Sequence, residues 1–337
     1  MNAPRRDPEI LITGTDLVPD SVVDYVRARG YTPRRVRRDD LSEDELIAVL
    51  DGALGYLLGG WETPTDRVFE TVRGLAAIGF VGTDYQLYVP GWRRARQLGM
   101  AVVSAPGANA VSVAEYTLLL MLGLARGRTG AVGPARTTAV GAPPLGRALR
   151  GRRLGVIGLG RIGAEVARIA GQGFGMEVRY SAPRPNPATA RALGLRRCPK
   201  PELLGWSDIV SLHRPGPATG EAPELGAEEF TAMRPGTLVI DTVHPALVDF
   251  AALLEAIEHR QVRCAFDGQG EGPAWDALTA RGSHGLIAGP TAGYHTLEAN
   301  EAASRTAARA VCDLLDAQRH APLLGTVDDE SDQDGAR

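Results

Sequence analysis

Three glycines, Gly158, Gly160 and Gly163, stand in "LGVIGLGRIGAEVARIAG" between an apolar run and a helical pattern. At this spacing the first glycine permits a tight turn and the second lets backbone approach a pyrophosphate. The third allows close helix–strand packing, and a helix N-terminus then faces the phosphates. Strand, loop, helix and next strand are all present, so Gly158 to Gly163, with Arg161 and Ile162 inside, read as a dinucleotide loop and not as a structural turn. An acidic residue closing the next strand would bind the adenosine ribose. That position, 181 − 163 = 18 residues past the third glycine, is Ser181, followed by Ala182 and Pro183. Arg184 is close enough to meet a 2′-phosphate, which leans the cofactor towards NADP; the alternative is a solvated loop arginine.

Of the six histidines, all of which follow the loop, three stand in candidate motifs: His213 in "SDIVSLHRPGP", His244 in "LVIDTVHPALVD" and His295 in "GPTAGYHTLEA". Histidine, with an ordinary pKa of about 6.5, serves as acid or base near neutrality. Glu271, in "CAFDGQGEGP", is a candidate partner for such a group. Cys198, Cys264 and Cys312 are far apart and odd in number. They form no CxxC and no metal spacing, so no metal is expected and they read as buried thiols of a reducing compartment.

The elements that must position these residues alternate. Apolar β-like runs at 9–14, 52–60, 75–82 and 101–107 form one set. A second set lies at 153–160, 177–182, 208–215, 237–243, 264–270 and 285–291. Helical patterns intervene at 20–29, 64–73, 90–98, 110–126, 161–171, 249–260 and 297–317. Alternation of this kind predicts α/β architecture, with two doubly wound parallel-sheet domains. The division is expected to be non-sequential. Residues 1–107 plus a returning 296–325 form one domain, and 108–295 is inserted into it. "SAPGANA" and "AGPTAGYH" are then the two hinge crossovers, with the active site in the cleft. Residues 326–337, polar and acidic, read as a disordered tail.

The 337 residues carry a net charge of −3, with 44% hydrophobic and 23% charged residues. That profile suits two soluble domains and gives no electrostatic support for a nucleic-acid or anionic-membrane partner. The arginine clusters Arg34 to Arg38 and Arg147 to Arg153 read as solvated faces. The N-terminus lacks an apolar signal core. "YTLLLMLGLA" is about half the ~20 residues needed to span a bilayer, so a cytoplasmic location is expected.

Taken together, the motifs resemble the D-2-hydroxyacid dehydrogenase family over roughly residues 45–325. "IGFVGTDYQLYVPGWRRARQLGMAVVSAPGANAVSVAEYTLLLMLGLAR" (78–126) is similar to its substrate loop, hinge and SVAE helix. "LRGRRLGVIGLGRIG" resembles its nucleotide loop and "SDIVSLHRPGP" its LHxP segment. "MRPGTLVIDTVHPALVDFAALLEAI" is similar to its N-x-A-R-G-x-x-V-D segment. The resemblance implies a Rossmann coenzyme domain inserted into a flavodoxin-like substrate domain, a bound NAD(P)(H), a small-molecule substrate and a homodimer. The 110–126 helix and the 127–150 segment would contribute to that dimer. It places Ser112, His213, Thr242 and Asp267 with the glycine loop on the cofactor side. Val81, Gly82, Asn109 and Thr291 fall on the substrate side, with the backbone at Val81 and Gly82 as a carboxylate cradle. Trp61, Tyr85, Tyr88 and Tyr116 either shape that pocket or are ordinary core aromatics.

The family's catalytic set is an arginine, a glutamate and a histidine, and no gapless match keeps any of them. The arginine falls on His244, with Pro245 after it. The glutamate falls on Gly272, with Glu271 one residue early. The histidine falls on Thr291, with His295 four residues on. A guanidinium fork is the usual bidentate partner of a substrate carboxylate. Its loss, at about 1.5–3 kcal/mol for a charged hydrogen bond, redirects the expected substrate away from ordinary 2-hydroxy acids. An aldehyde, an alcohol, an imine or a differently presented acid is expected. Two other readings stand beside this one. One is a dinucleotide-binding sensor or scaffold without turnover, and the other is an enzyme using bound NAD(P) in a non-redox net reaction.

Overall fold

The computed structural model describes residues 8–127, 145–216, 221–280 and 285–320. Most of the 127–150 segment and the tail at 326–337 lie outside the described residues. The chain divides into two units: one is Pro106–Asn300, and the other holds residues up to Ala105 and those from Glu301 onward.

In the first unit the elements run β1 (Glu9–Thr13), α1 (Asp20–Ala28), β2 (Thr32–Val36), α2 (Glu43–Leu50), β3 (Gly55–Leu58) and α3 (Asp66–Thr71). They continue with β4 (Ala77–Phe80), α4 (Tyr85–Tyr88), α5 (Trp92–Gln97) and β5 (Ala101–Val103). All strand pairs are parallel and the order is β2-β1-β3-β4-β5, the flavodoxin-like arrangement. Buried Leu11, Tyr56, Leu58 and Ile78 form its core with Leu46, Leu50 and Phe69 from the covering helices. Helix α2 begins at a capping box in which Ser42 and Glu45 satisfy each other's backbone N–H.

β2 and α2 are absent from the sequence reading, and the reading of Arg34 to Arg38 as a solvated face holds for exposed Arg37 and Arg38 but not for Arg34 and Arg35. Residues 32–36 form the edge strand, where Pro33 and repeated charge are tolerated and discourage further pairing. The Arg35 side chain is only 12% exposed; it pairs with Asp20 at 2.7 Å and donates to the carbonyls of Thr15 and Val18. Arg34 pairs with Glu9 at 2.5 Å and Arg38 with Glu45 at 2.7 Å. The cluster therefore ties the strand to its neighbours.

The second unit runs α6 (Ala110–Ala125), β6 (Arg153–Ile157), α7 (Arg161–Arg168) with a π turn at Ile169–Gly173, β7 (Glu177–Ser181), α8 (Pro187–Ala192) and β8 (Arg196–Arg197). It continues α9 (Lys200–Trp206), β9 (Ile209–Leu212), α10 (Ala227–Ala232), β10 (Leu238–Asp241), a 3-10 turn at Pro245–Leu247 and α11 (Phe250–Arg260). Then come β11 (Arg263–Phe266), α12 (Pro273–Ala280) and β12 (Leu286–Ile287). The helix expected at 161–171 thus leaves α geometry after Arg168. The sheet order is β12-β11-β10-β9-β6-β7-β8, all parallel. Its direction of growth reverses between β6 and β9, the crevice where open α/β sheets take their ligands.

Helix α6 buries Val113, Ala114, Thr117, Leu118, Met121 and Leu124, a face that packs with β10 and β11. Helix α13 (Leu297–His320) closes the chain. Along the first unit's sheet, Gly79 lacks the side chain that would collide with Val311 and Leu57, so α13 lies close against β4. Arg29 pairs with Asp313 and Asp316, fixing the same helix at its outer side. Among the described residues no helix is long and apolar enough to cross a membrane.

Candidate functional site

Gly158 follows β6 with φ +97°, and a Cβ there would sit 2.5 Å from the His213 carbonyl oxygen. Its N–H donates to the Ser181 carbonyl at 2.8 Å, joining the loop to β7. A Cβ on Gly163 would lie 2.1 Å from the Gly158 carbonyl oxygen. Gly160, at the N-cap of α7, meets nothing within 4 Å. The first and third glycines are thus required by the protein's own packing, while the second faces open space. That is the division of labour a pyrophosphate cradle needs. Arg161 lays its aliphatic stem against Gly107, and Ile162 packs on the core.

His213 sits behind this loop. Its N–H donates to the Ile157 carbonyl at 2.7 Å, and Nε2 lies 2.8 Å from the Ser211 hydroxyl. Burial lowers its pKa to about 3, so the ring is neutral. Nδ1 is buried and has no partner among the described residues, so the ring is only half satisfied as a structural histidine. An orphaned ring nitrogen and an open Gly160 both fit a dinucleotide at this switch point. At the adenosine end, Ser181 offers no carboxylate and Arg184 is exposed. Arg197 on β8 reaches across to donate to the Ala182 carbonyl at 2.9 Å. Its position went unread because a two-residue strand leaves no periodic signal.

The carboxyl ends of β10, β11 and β12 bring the other positions together. Asp241 is buried, and its Oδ1 accepts the N–H groups of Val243 (2.8 Å) and His244 (3.2 Å). The next residue, Thr242, is joined to Thr117 of α6 by a buried 3.0 Å hydroxyl pair. His244 is exposed and caps the 3-10 turn, its Nδ1 accepting the Ala246 N–H at 3.2 Å. With Nδ1 so used, Nε2 is the ring nitrogen left for chemistry. Gly268 lies between Pro245 and Thr291, about 3.4 Å and 3.2 Å from where its Cβ would be. The His244 turn, the loop after β11 and the Thr291 segment therefore converge.

Asp267 is buried, and burial raises its pKa. Its two oxygens accept the N–H groups of Ala292 (2.7 Å) and Gly293 (3.0 Å), so it fastens the Thr291 segment. Tyr116 packs against Gly293, which has no room for a Cβ. Glu271 is exposed, and no hydrogen bond joins it to His244 among the described residues. His295 is exposed, with Nδ1 3.3 Å from the Asn300 amide. Ser112 pairs with Thr296 at 2.8 Å, and Asn109 stands at the N-cap position of α6. The residue that sequence reasoning missed is Asp241. The signal was present, because the family segment N-x-A-R-G begins with asparagine where this chain has aspartate.

In the first unit the expected carboxylate cradle needs correction. The Val81 N–H already donates to the Leu58 carbonyl at 3.0 Å, continuing the β3–β4 ladder. Of the pair, Gly82 is the one left for that role. Tyr88 stacks on Phe80 at 5.3 Å, and Tyr85 meets Trp92 edge-on at 5.7 Å. Trp61 is 59% exposed.

Two parallel doubly wound sheets, one with a glycine loop at its switch point, define a dinucleotide-binding α/β protein. A family model described as D-isomer specific 2-hydroxyacid dehydrogenase, NAD binding domain, matches residues 118–277. D-3-phosphoglycerate dehydrogenase of Archaeoglobus fulgidus is 30% identical over 253 residues, covering 74% of this chain and 46% of that protein. The chain spans about half the length of the curated relatives it matches. Among solved structures, the apo form of D-lactate dehydrogenase from Escherichia coli aligns with TM-score 0.74 at 22% identity, over 92% of this chain and 96% of that one. An acyclic imino acid reductase in complex with NADPH and D-Arg aligns with TM-score 0.76 at 22% identity, over 92% and 97%. The chain belongs to the D-isomer specific 2-hydroxyacid dehydrogenase family.

Proposed function

We propose that the protein is an NAD(P)-dependent oxidoreductase with a rebuilt site, acting on a carbonyl, hydroxyl or imine substrate outside the usual 2-hydroxy acids. The observation that carries this reading is the turn at the end of β10. It holds His244, which aligns with the family segment's arginine, in the same sheet whose switch point carries the glycine loop. Gly158, Gly160 and Gly163 with the first turn of α7 would hold the pyrophosphate, and Asp267, Thr242 and Ser112 would flank the nicotinamide. When bound, the nicotinamide supplies the hydride donor or acceptor. His244 holds or moves the accompanying proton at Nε2, because Nδ1 is occupied by the Ala246 N–H. Glu271 and His295 are secondary candidates, since neither is tied to His244. Thr291 and Asn109 line the substrate side.

At the adenosine end, Arg184 and Arg197 beside a carboxylate-free Ser181 favour NADP(H) over NAD(H). The imino acid reductase among the fold neighbours, described with NADPH, is a reason to include imines in the substrate panel. Free, buried Cys198, Cys264 and Cys312 suit a reducing, cytoplasmic setting. Exposed Val111 and Leu119 on α6 suit a homodimer through that helix.

The test is oxidation of NADPH or NADH, followed by absorbance, with a panel of keto acids, aldehydes and imines. His244→Ala should lower turnover by about 10²–10⁴-fold, the usual span for a proton-transfer group, and leave cofactor affinity unchanged. Tight cofactor binding with no turnover on the whole panel would favour the non-turnover reading. Full activity in His244→Ala would remove that residue from the chemistry.

A further inference from the structure

Asp241 has no part in the chemistry above, yet its surroundings are unusual. Its side chain is 1% exposed at the end of β10, and Oδ1 closes the turn by accepting the Val243 and His244 N–H groups. Among the described residues, Oδ2 is buried without a partner. Ionised, the group makes two charge-assisted hydrogen bonds but leaves a charge out of water, and among the described residues no lysine or arginine pairs with it. Protonated, it relieves that charge, weakens Oδ1 as an acceptor and buries an unmatched hydroxyl. Neither form is fully satisfied.

Among the described residues, the titratable groups whose charge couples with it are Cys264 on β11 and Asp267 after it, and His244 lies on its own turn. Cys264 is held well above its ordinary range by burial. Asp267 adds a like charge.

We propose that Asp241 is a positioning residue whose ionisation sets how firmly the 241–244 turn holds His244. The carboxylate grips both amides and the acid releases them in part. Burial first, with the nearby Asp267 charge adding to it, pushes the Asp241 pKa up to about 7, so both forms are populated near neutrality. An asparagine, as in the family segment, would accept the same two N–H groups without titrating. The catalytic consequence rests on the reading of His244 given above, whereas the behaviour of the turn does not.

The experiment follows the backbone amide resonances of Val243 and His244 in the isotope-labelled full chain as pH is raised from 5 to 9. Both should show a shared inflection near pH 7. The inflection should persist at Val243 in His244→Gln, which removes the imidazole. It should disappear in Asp241→Asn and move to lower pH in Asp267→Asn. An inflection that survives Asp241→Asn, or one in the ordinary carboxylate range, overturns the proposal. In turnover assays Asp241→Asn should remove the matching inflection from the kcat profile and leave the cofactor KM unchanged. If the enzyme turns nothing over, the proposed function fails while the amide titration still decides the role of Asp241.

Discussion

Acid should unfold the nucleotide-binding unit partly through one residue, His213. Burial lowers its pKa from 6.5 to about 3, while in the unfolded chain it titrates at its ordinary value. The unfolded state therefore takes up the proton first. The stability it contributes is complete above pH 6.5 and is lost as pH falls towards about 3. Each pH unit in that window corresponds to about 1.36 kcal/mol, so by pH 4 the loss from this ring is roughly 3 kcal/mol. Against a total of about 5–15 kcal/mol for an ordinary domain, that is a decisive fraction. Asp241 acts in the opposite sense, because its pKa is raised and its protonation between pH 7 and 4 favours the folded form. A comparison that cancels Asp241 is therefore needed. His213→Gln keeps a partner for the Ser211 hydroxyl and does not titrate. Urea unfolding of both proteins, followed by tryptophan fluorescence through Trp206 and Trp275, gives their stability difference at each pH. The wild type should lose its advantage by roughly 3 kcal/mol between pH 7 and pH 4. Parallel curves would refute the argument, since the histidine would then titrate alike in both states.

Gly163→Ala and Gly160→Ala should separate folding from cofactor binding. The first places a Cβ against the Gly158 carbonyl, costing about 1–3 kcal/mol by overpacking and lowering the Tm. The second meets no protein atom, so its Tm should match wild type while NADH fluorescence titration shows affinity lost. Arg197→Ala and Arg184→Ala should each weaken NADPH by about tenfold, as expected for about 1.4 kcal/mol of charged contact, and leave NADH affinity unchanged. Equal weakening of both cofactors would argue against a 2′-phosphate contact. Cys198, Cys264 and Cys312 are buried with raised pKa values, so a thiol reagent should label none of them in the folded chain and all of them in urea.

How much was legible depended on whether the chemistry was local. The glycine loop announces itself because turn, cradle and packing are all demanded within six residues, and the structure gives Gly158 and Gly163 no room for a side chain. The alternation of apolar runs and helical patterns sufficed for two doubly wound sheets, since buried parallel strands must be nearly continuous in apolar residues. Two of the four edge strands were not legible. β2 carries Pro33 and arginines because an edge strand is half solvated, and β8 is too short to show a pattern. The Val81 N–H looked available because sequence does not show which carbonyl a strand end will meet.

The parallel α/β class, the glycine loop and a histidine in the segment after β10 could be read from the sequence alone. Those follow from residue type and spacing along one stretch of chain. Only the tertiary structure decided what surrounds that histidine. Residues distant in sequence, Asp241, Gly268, Asp267 and Thr291, meet at the ends of adjacent strands. Burial there raises the Asp241 pKa. Such a shift depends on desolvation and on neighbours brought from other strands, and no linear pattern of residues carries it.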